Sequence, residues 1–256
     1  MKNKICAVKD LGVIDYESAW KLQDEYATEI AAGSRPPTLL LLEHPHVYTF
    51  GRRGQAENLL LDELQLKEKG IATHWVDRGG DVTYHGPGQL VGYPLIPLSP
   101  LGVQRLPTLD NRSQETSESV RLPQADYVGY VRKLEKMLIV ALASLGVVAG
   151  QRSGKTGVWI QADVWSRCPR CKPEDKRKPA KIAAIGVKVD ARGVSRHGFA
   201  LNLDPDMSYW DGIIACGLAD EPVAALSDLL DPTPEMDRVK REIISSFGEV
   251  FGYEMK

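Results

Sequence analysis

Apolar residues recur along this chain at two spacings. Steps of three and four residues mark helices. From Tyr16 to Ala32, Trp20, Leu22, Tyr26 and Ile30 form a stripe that Gly33 ends. The strongest stripe runs from Ala125 to Leu145, with Tyr127, Val131, Leu134, Leu138, Leu142 and Leu145 along it. A short helix is predicted from Asp62 to Lys69, closed by Gly70. A last helix is predicted to open at Thr233-Pro234, with Thr233 as its cap, and to end near Phe251.

Short β-type runs alternate with these helices. Thr38 to Glu43 (TLLLLE) reads as a buried strand, and Val47 to Phe50 as its hairpin partner, because His44-Pro45 breaks the chain between them. Ile71–Val76, Val82–Tyr84, Leu90–Ile96, Val147–Ala149, Gly157–Gln161, Ile182–Val189 and Gly198–Leu203 also read as strands. Gln104 to Gln124 is rich in Ser, Thr, Asn and Gln and reads as an exposed loop. Strands in runs with helices beside them predict an α+β fold, a mixed sheet flanked by helices. There is no internal repeat and no linker between two cores, so one domain over residues 1–256 is expected.

Composition narrows the function. With 256 residues, 43% of them hydrophobic, the chain can bury a sizeable core. A net charge of −2 argues against a dedicated nucleic-acid binder. No apolar run reaches the roughly 20 residues of a membrane helix. The start, Met1 to Cys6, has basic residues but no apolar stretch after them, so no secretory signal is expected. Only two of the four cysteines, Cys168 and Cys171, are close in sequence, which does not make a disulfide framework. A reducing, cytoplasmic setting is the expectation.

Chemistry concentrates in residues 78–89, Arg78-Gly79-Gly80-Asp81-Val82-Thr83-Tyr84-His85-Gly86-Pro87-Gly88-Gln89. Its glycines let the backbone approach another molecule, and it carries a cation, a hydroxyl, a histidine and an amide. Downstream, Lys181 enters the small-residue strand Ile182-Ala183-Ala184-Ile185-Gly186. It is either a solvated lysine at a strand entry or a cation placed to perturb a neighbour. Cys216, before Gly217, is either a packing residue or a reactive thiol. His197, before Gly198, is either a ligand contact or a histidine satisfied at a strand end. His44 and His46, two apart, have no partner cluster for a metal, and a loop reading is preferred.

Together these segments resemble the octanoyltransferases of lipoate biosynthesis, which use octanoyl-acyl carrier protein as donor. The residues that carry the resemblance are Arg78-Gly79-Gly80, Thr83-Tyr84-His85, Gly88-Gln89-Leu90, Tyr93-Pro94, Lys181 to Gly186, His197 to Asn202 and Cys216-Gly217. Tyr48 to Arg53 and Glu57 to Leu60 also fit. The resemblance spans most of the chain and implies the fold shared by lipoate- and biotin-protein ligases.

It also implies a mechanism. Cys216 is the nucleophile that carries the octanoyl group as a thioester, and Lys181 lowers its pKa and moves protons. Arg78, Gly79, Gly80, Asp81, Val82, Thr83, Tyr84 and His85 line the acyl pocket. Ala184, Ile185 and Gly186, with Gly198, Phe199 and Ala200, form its other walls, and His197 and Asn202 support the site. Backbone N–H groups near Gly186 or Gly217 are candidates for the oxyanion hole. The acceptors are lipoyl domains of 2-oxoacid dehydrogenases and the glycine cleavage H protein. No bound cofactor, no metal, no ATP, no nucleic acid and no membrane is implied.

Two segments depart from the family's compact pattern. Residues 104–121 lengthen a loop, and residues 161–180 insert Cys168-Pro169-Arg170-Cys171 and a charged run. Arg167, Arg170, Lys172, Lys176, Arg177 and Lys178 could steer acidic partners, but Glu174 and Asp175 among them favour a solvated loop equally. Two rival functions remain on the sequence alone: an ATP-dependent lipoate-protein ligase, which has no need of Cys216, and a non-catalytic module that binds acyl carriers or lipoyl domains.

Overall fold

The structure is a computed structural model that describes residues 4–98, 126–165, 173, 175–215 and 221–256. The larger of its two sheets contains β1 (Lys4–Val13), β2 (Thr38–Glu43), β6 (Gln89–Leu95), β7 (Gly150–Arg152), β8 (Lys155–Ile160), β9 (Ala180–Val189), β10 (Ser195–Asn202) and β11 (Tyr253–Met255). Their order is β11-β1-β2-β6-β10-β9-β8-β7. β1 is parallel to both neighbours, and the other pairs are antiparallel. A smaller sheet has the order β4-β3-β5, from β3 (Val47–Phe50), β4 (Ala72–Trp75) and β5 (Val82–His85). The mixed sheet flanked by helices is the predicted architecture.

The unbroken leucine run of β2 exists because both faces of the large sheet are covered. Leu39 and Leu41 pack against α3 (Tyr127–Ser144) and α5 (Met236–Phe251), beside Leu134, Leu138, Val239 and Phe247. Leu40 and Leu42 face α1 (Tyr16–Ala31), beside Ala19, Tyr26, Ala27 and Ile30. Two short helices, α2 (Glu63–Glu68) and α4 (Ala162–Trp165), lie among the described residues as well.

Several expectations need correction. β3 is not the hairpin partner of β2. It leaves the large sheet after His44-Pro45 and pairs with β4 and β5 instead. The buried stripe of α3 is Tyr130, Leu134, Met137, Leu138, Ala141 and Leu142, whereas Tyr127 is exposed. Residues 147–149 are not a strand, and the strand here begins at Gly150. The last helix begins at Met236 rather than at Pro234, with Glu235 in the cap position. β1 was not foreseen, because only Cys6 on it is fully buried and charged residues interrupt its pattern. The expected loop at 104–124 and the Cys168–Cys171 pair lie outside the described residues, as do Arg167, Arg170 and Lys172. Lys176 and Arg177 lie on a 3-10 turn, Asp175–Arg177.

Candidate active site

A cleft opens between the two sheets. Its roof is the glycine loop that leads into β5. Backbone bonds hold that loop to the chain after β3: Gly51 N–H to Asp81 O (3.1 Å), Arg52 N–H to Arg78 O (2.9 Å) and Arg53 N–H to Gly80 O (3.1 Å). The Arg78 guanidinium is buried. Its Nη2 donates to Thr49 Oγ1 (2.8 Å) and its Nη1 to Gly79 O (3.1 Å). Strand alternation then decides which roof residues face the cleft. Thr83 and His85 line it. Val82 and Tyr84 join Tyr48, Phe50 and Ile213 in a separate cluster.

The floor is β9 and β10, where Gly186 pairs with Gly198 and Ala184 with Ala200. A Cβ on Gly186 would lie 3.0 Å from both Gly79 O and Arg78 Cδ, so the roof rests directly on this residue. A Cβ on Gly198 would run into the carbonyl of Gly92 on β6 and lie 2.7 Å from Pro94 Cδ. Small residues here are a packing requirement as well as a surface for apolar contact.

Aromatic and imidazole rings bound one side of the cleft. Tyr16, at the start of α1, lies 5.6 Å from the His74 ring and 6.1 Å from the His85 ring, stacked on both, and 5.1 Å from His44. Its hydroxyl donates to His197 Nδ1 (3.4 Å), and His197 Nε2 donates to Asp77 Oδ1 (2.7 Å). Lys188 and Arg196 also bind Asp77. Burial pushes the Asp77 carboxyl up, but His197, Lys188 and Arg196 outweigh it and hold it well below the usual carboxylate range. Burial pushes His197 down, and its bond to Asp77 opposes this only in part.

His85 has its tautomer fixed by a chain of amides. Asn202 Nδ2 donates to Ala224 O (3.0 Å), so Asn202 Oδ1 accepts from Gln89 Nε2 (2.8 Å). Gln89 Oε1 is then the acceptor for His85 Nδ1–H (2.7 Å), which leaves His85 Nε2 unprotonated. Burial and the neighbouring His44 both push the His85 pKa down, so the ring is neutral.

A second, smaller pocket shares two walls with the first, Thr83 and Ala184. It holds Lys181, whose Nζ lies 4.7 Å from the centre of the Trp159 ring. Ala215 and Glu221 also line it. Cys216, with Gly217, lies outside the described residues, but both flanks of that segment are anchored at this pocket. Ile214 N–H bonds to Asn58 O (2.8 Å), and Asn58 Nδ2 bonds to Asp81 Oδ2 (2.6 Å). On the other side, Lys181 N–H bonds to Pro222 O (2.9 Å) and Ala224 N–H to Lys181 O (2.9 Å).

Of the fourteen residues expected to line an acyl pocket, eleven line the cleft: Arg78, Gly79, Gly80, Thr83, His85, Ala184, Ile185, Gly186, Gly198, Phe199 and Ala200. The other three do not. Val82 and Tyr84 face the opposite side of β5. Asp81 ties the loop to Asn58 and to the Val82 N–H (2.7 Å). His197 lines the cleft as well, while Asn202 holds the amide chain behind His85. Tyr16 and Tyr93 also line the cleft. In the sequence Tyr16 marks only the start of a helix, and Tyr93 stands in a motif with Pro94 that assigns it no role.

A family model described as the lipoyl protein ligase A/B catalytic domain matches residues 15–111 and 115–248. The chain belongs to the lipoyl protein ligase A/B catalytic domain family. Within it, an octanoyltransferase of Solibacter usitatus is 39% identical over 250 residues, 98% of this chain and 94% of the relative. An octanoyltransferase of Chloroflexus aurantiacus is 38% identical over 244 residues, 95% of this chain and 93% of the relative. Among solved structures, a bi-partite lipoate protein ligase from Thermoplasma acidophilum superposes with a TM-score of 0.62 at 18% identity, over 99% of this chain and 86% of that one. That likeness concerns the fold, which this lipoyl protein ligase A/B member shares.

Proposed function

We propose that this enzyme is an octanoyltransferase of lipoate biosynthesis, working through an acyl thioester on Cys216 with an acyl carrier protein as donor and a lipoyl domain as acceptor. The observation that carries the mechanism is the anchoring of Ala215 and Glu221, the two flanks of the cysteine segment, in the pocket of Lys181. That pocket opens onto an apolar cleft through Thr83 and Ala184.

In the first half-reaction Cys216 Sγ attacks the thioester carbonyl. The new S–C bond forms, the bond to the carrier's phosphopantetheine sulfur breaks, and Lys181 passes the proton lost by Cys216 to that leaving thiolate. In the second half the amine of the acceptor lysine attacks the acyl-enzyme. A C–N bond forms, the C–Sγ bond breaks, and the surplus proton of the amine returns through Lys181 to Sγ. The donor is already activated, so ATP and bound cofactors have no part in the scheme. The acyl chain lies in the cleft, where each buried methylene contributes about 0.8 kcal/mol.

Intact-mass spectrometry after mixing with octanoyl-acyl carrier protein tests this. The enzyme should gain one octanoyl group without ATP, lose the gain in Cys216→Ala, and discharge it to a lipoyl domain. Lys181→Ala should acylate slowly near neutrality and recover in part as pH rises. Modification that needs free octanoate and ATP would establish the ligase reading instead. Stoichiometric carrier binding with no mass gain would establish a binding module.

A further inference from the structure

We propose that Tyr16, held by His197 and Asp77, is the stop that limits the length of the acyl chain this enzyme accepts; the inference rests on the acyl-transfer reading of the cleft. The cleft has a defined beginning at Thr83 and Ala184, which it shares with the Lys181 pocket. It also has a defined end. Gly79 N–H bonds to Val187 O (2.9 Å), which ties the roof to β9. Val187 pairs with His197 on β10, and His197 Nδ1 accepts from Tyr16. Two ties, roof to β9 and helix to β10, therefore close the cleft at a single row of the sheet.

The stop is rigid. Tyr16 is 4% exposed and wedged among His44, His74 and His85. His197 is the only non-glycine with positive φ (56°) among the described residues. Phe199, two residues on, faces the α3–α5 core, and ordinary alternation would send His197 the same way. The left-handed backbone turns its ring to the α1 side, where its N–H also bonds to Gln23 Oε1 (2.7 Å). Strain of this kind persists only where surrounding contacts enforce it. A longer chain would have to displace a hydrogen-bonded tyrosine and strip partners from buried polar groups.

The test is a competition between octanoyl-, decanoyl- and dodecanoyl-acyl carrier protein, read as the ratio of acyl-enzymes by intact mass and as kcat/KM ratios. Tyr16→Phe should keep the wild-type order. Tyr16→Ala should move the decanoyl-to-octanoyl ratio up by roughly tenfold, the effect of admitting two more methylenes. Tyr16→Leu, milder for folding, should move it in the same direction by less. His197→Gln, which loosens the positioning residue but leaves the ring, should broaden the ratio without abolishing transfer. A wild type that transfers octanoyl groups while Tyr16→Ala and Tyr16→Leu keep its ratios would overturn the stop alone. A wild type that takes no acyl group from any carrier would overturn the acyl-transfer reading itself.

Discussion

Acidification should destabilise this enzyme well before its carboxylates titrate, and His44 shows how. The ring is fully buried. Nδ1–H donates to Ile14 O (2.7 Å), and Nε2 accepts from Tyr93 OH (2.8 Å). Burial pushes its pKa down from 6.5 to about 4, against the opposing pull of the Ile14 carbonyl. Between those two values the unfolded chain binds a proton that the folded one refuses. The unfolded state therefore gains as pH falls, and stability present above pH 6.5 is lost on the way to about pH 4. At about 1.4 kcal/mol per pH unit the loss from this one ring is about 3 kcal/mol. His85 and His197, also pushed down by burial, add in the same direction. Asp77, held low, adds its own loss only below its ordinary value of 3.8. Urea unfolding between neutral pH and about pH 4, with a constant m-value, reads the effect. His44→Gln should be less stable than wild type at neutral pH, yet lose about 3 kcal/mol less on acidification. Equal losses in the two proteins, or a wild type whose stability is flat over this range, would refute the reasoning.

Two further outcomes are expected. Gly198→Ala forces a methyl group against Gly92 O and Pro94 Cδ, so it should cost about 1–3 kcal/mol in urea unfolding and reduce the yield of acyl-enzyme. Glu135 is fully buried on α3 and accepts from Arg132 (2.6 Å), Gln151 (2.8 Å) and the Gly157 N–H (3.1 Å). Glu135→Ala orphans donors on β7 and β8 and should cost about 3 kcal/mol by urea unfolding, whereas Glu135→Gln, which keeps one acceptor, should cost less.

Local pattern made α1, β2, β9 and β10 legible in the sequence, because their periodicity matches what they bury. Pairing was not legible. The apolar run of β3 is the same whether it joins β2 or starts a new sheet, and only the tertiary placement of β5 decides. The strand capacity of β1 was hidden for a related reason: its stability comes from two parallel neighbours far along the chain, Thr38–Glu43 and Tyr253–Met255. The α3 stripe was displaced because Glu135, a charged residue, lies on its buried face and breaks the apolar count. At the cleft, the glycine loop was readable as a motif, but a motif does not reveal which side of a strand each residue takes. Tyr16 carried no local signal. It sits more than sixty residues before the loop and becomes a wall only when α1 crosses the large sheet.

The same reasoning explains why glycines gather at 79, 80, 186 and 198. Flexibility is not what the cleft requires of them. Arg78 fixes the height of the roof by gripping Thr49 on β3 and the carbonyl of Gly79. The planar fork of a guanidinium can hold both at once, which an ammonium cannot. Once the roof is fixed at that height, its backbone lies at van der Waals distance from the floor at Gly186, and within the floor Gly198 lies close against the neighbouring strand β6. Two backbone layers, roof and sheet, meet there without a side chain between them. The space for a ligand appears only where the roof lifts away, between Thr83 and Ala184, and it ends where Gly79 meets Val187. Cleft length is therefore set by backbone contacts and by Tyr16, and substitutions on the exposed rim should alter acyl-chain choice far less than changes at these layers.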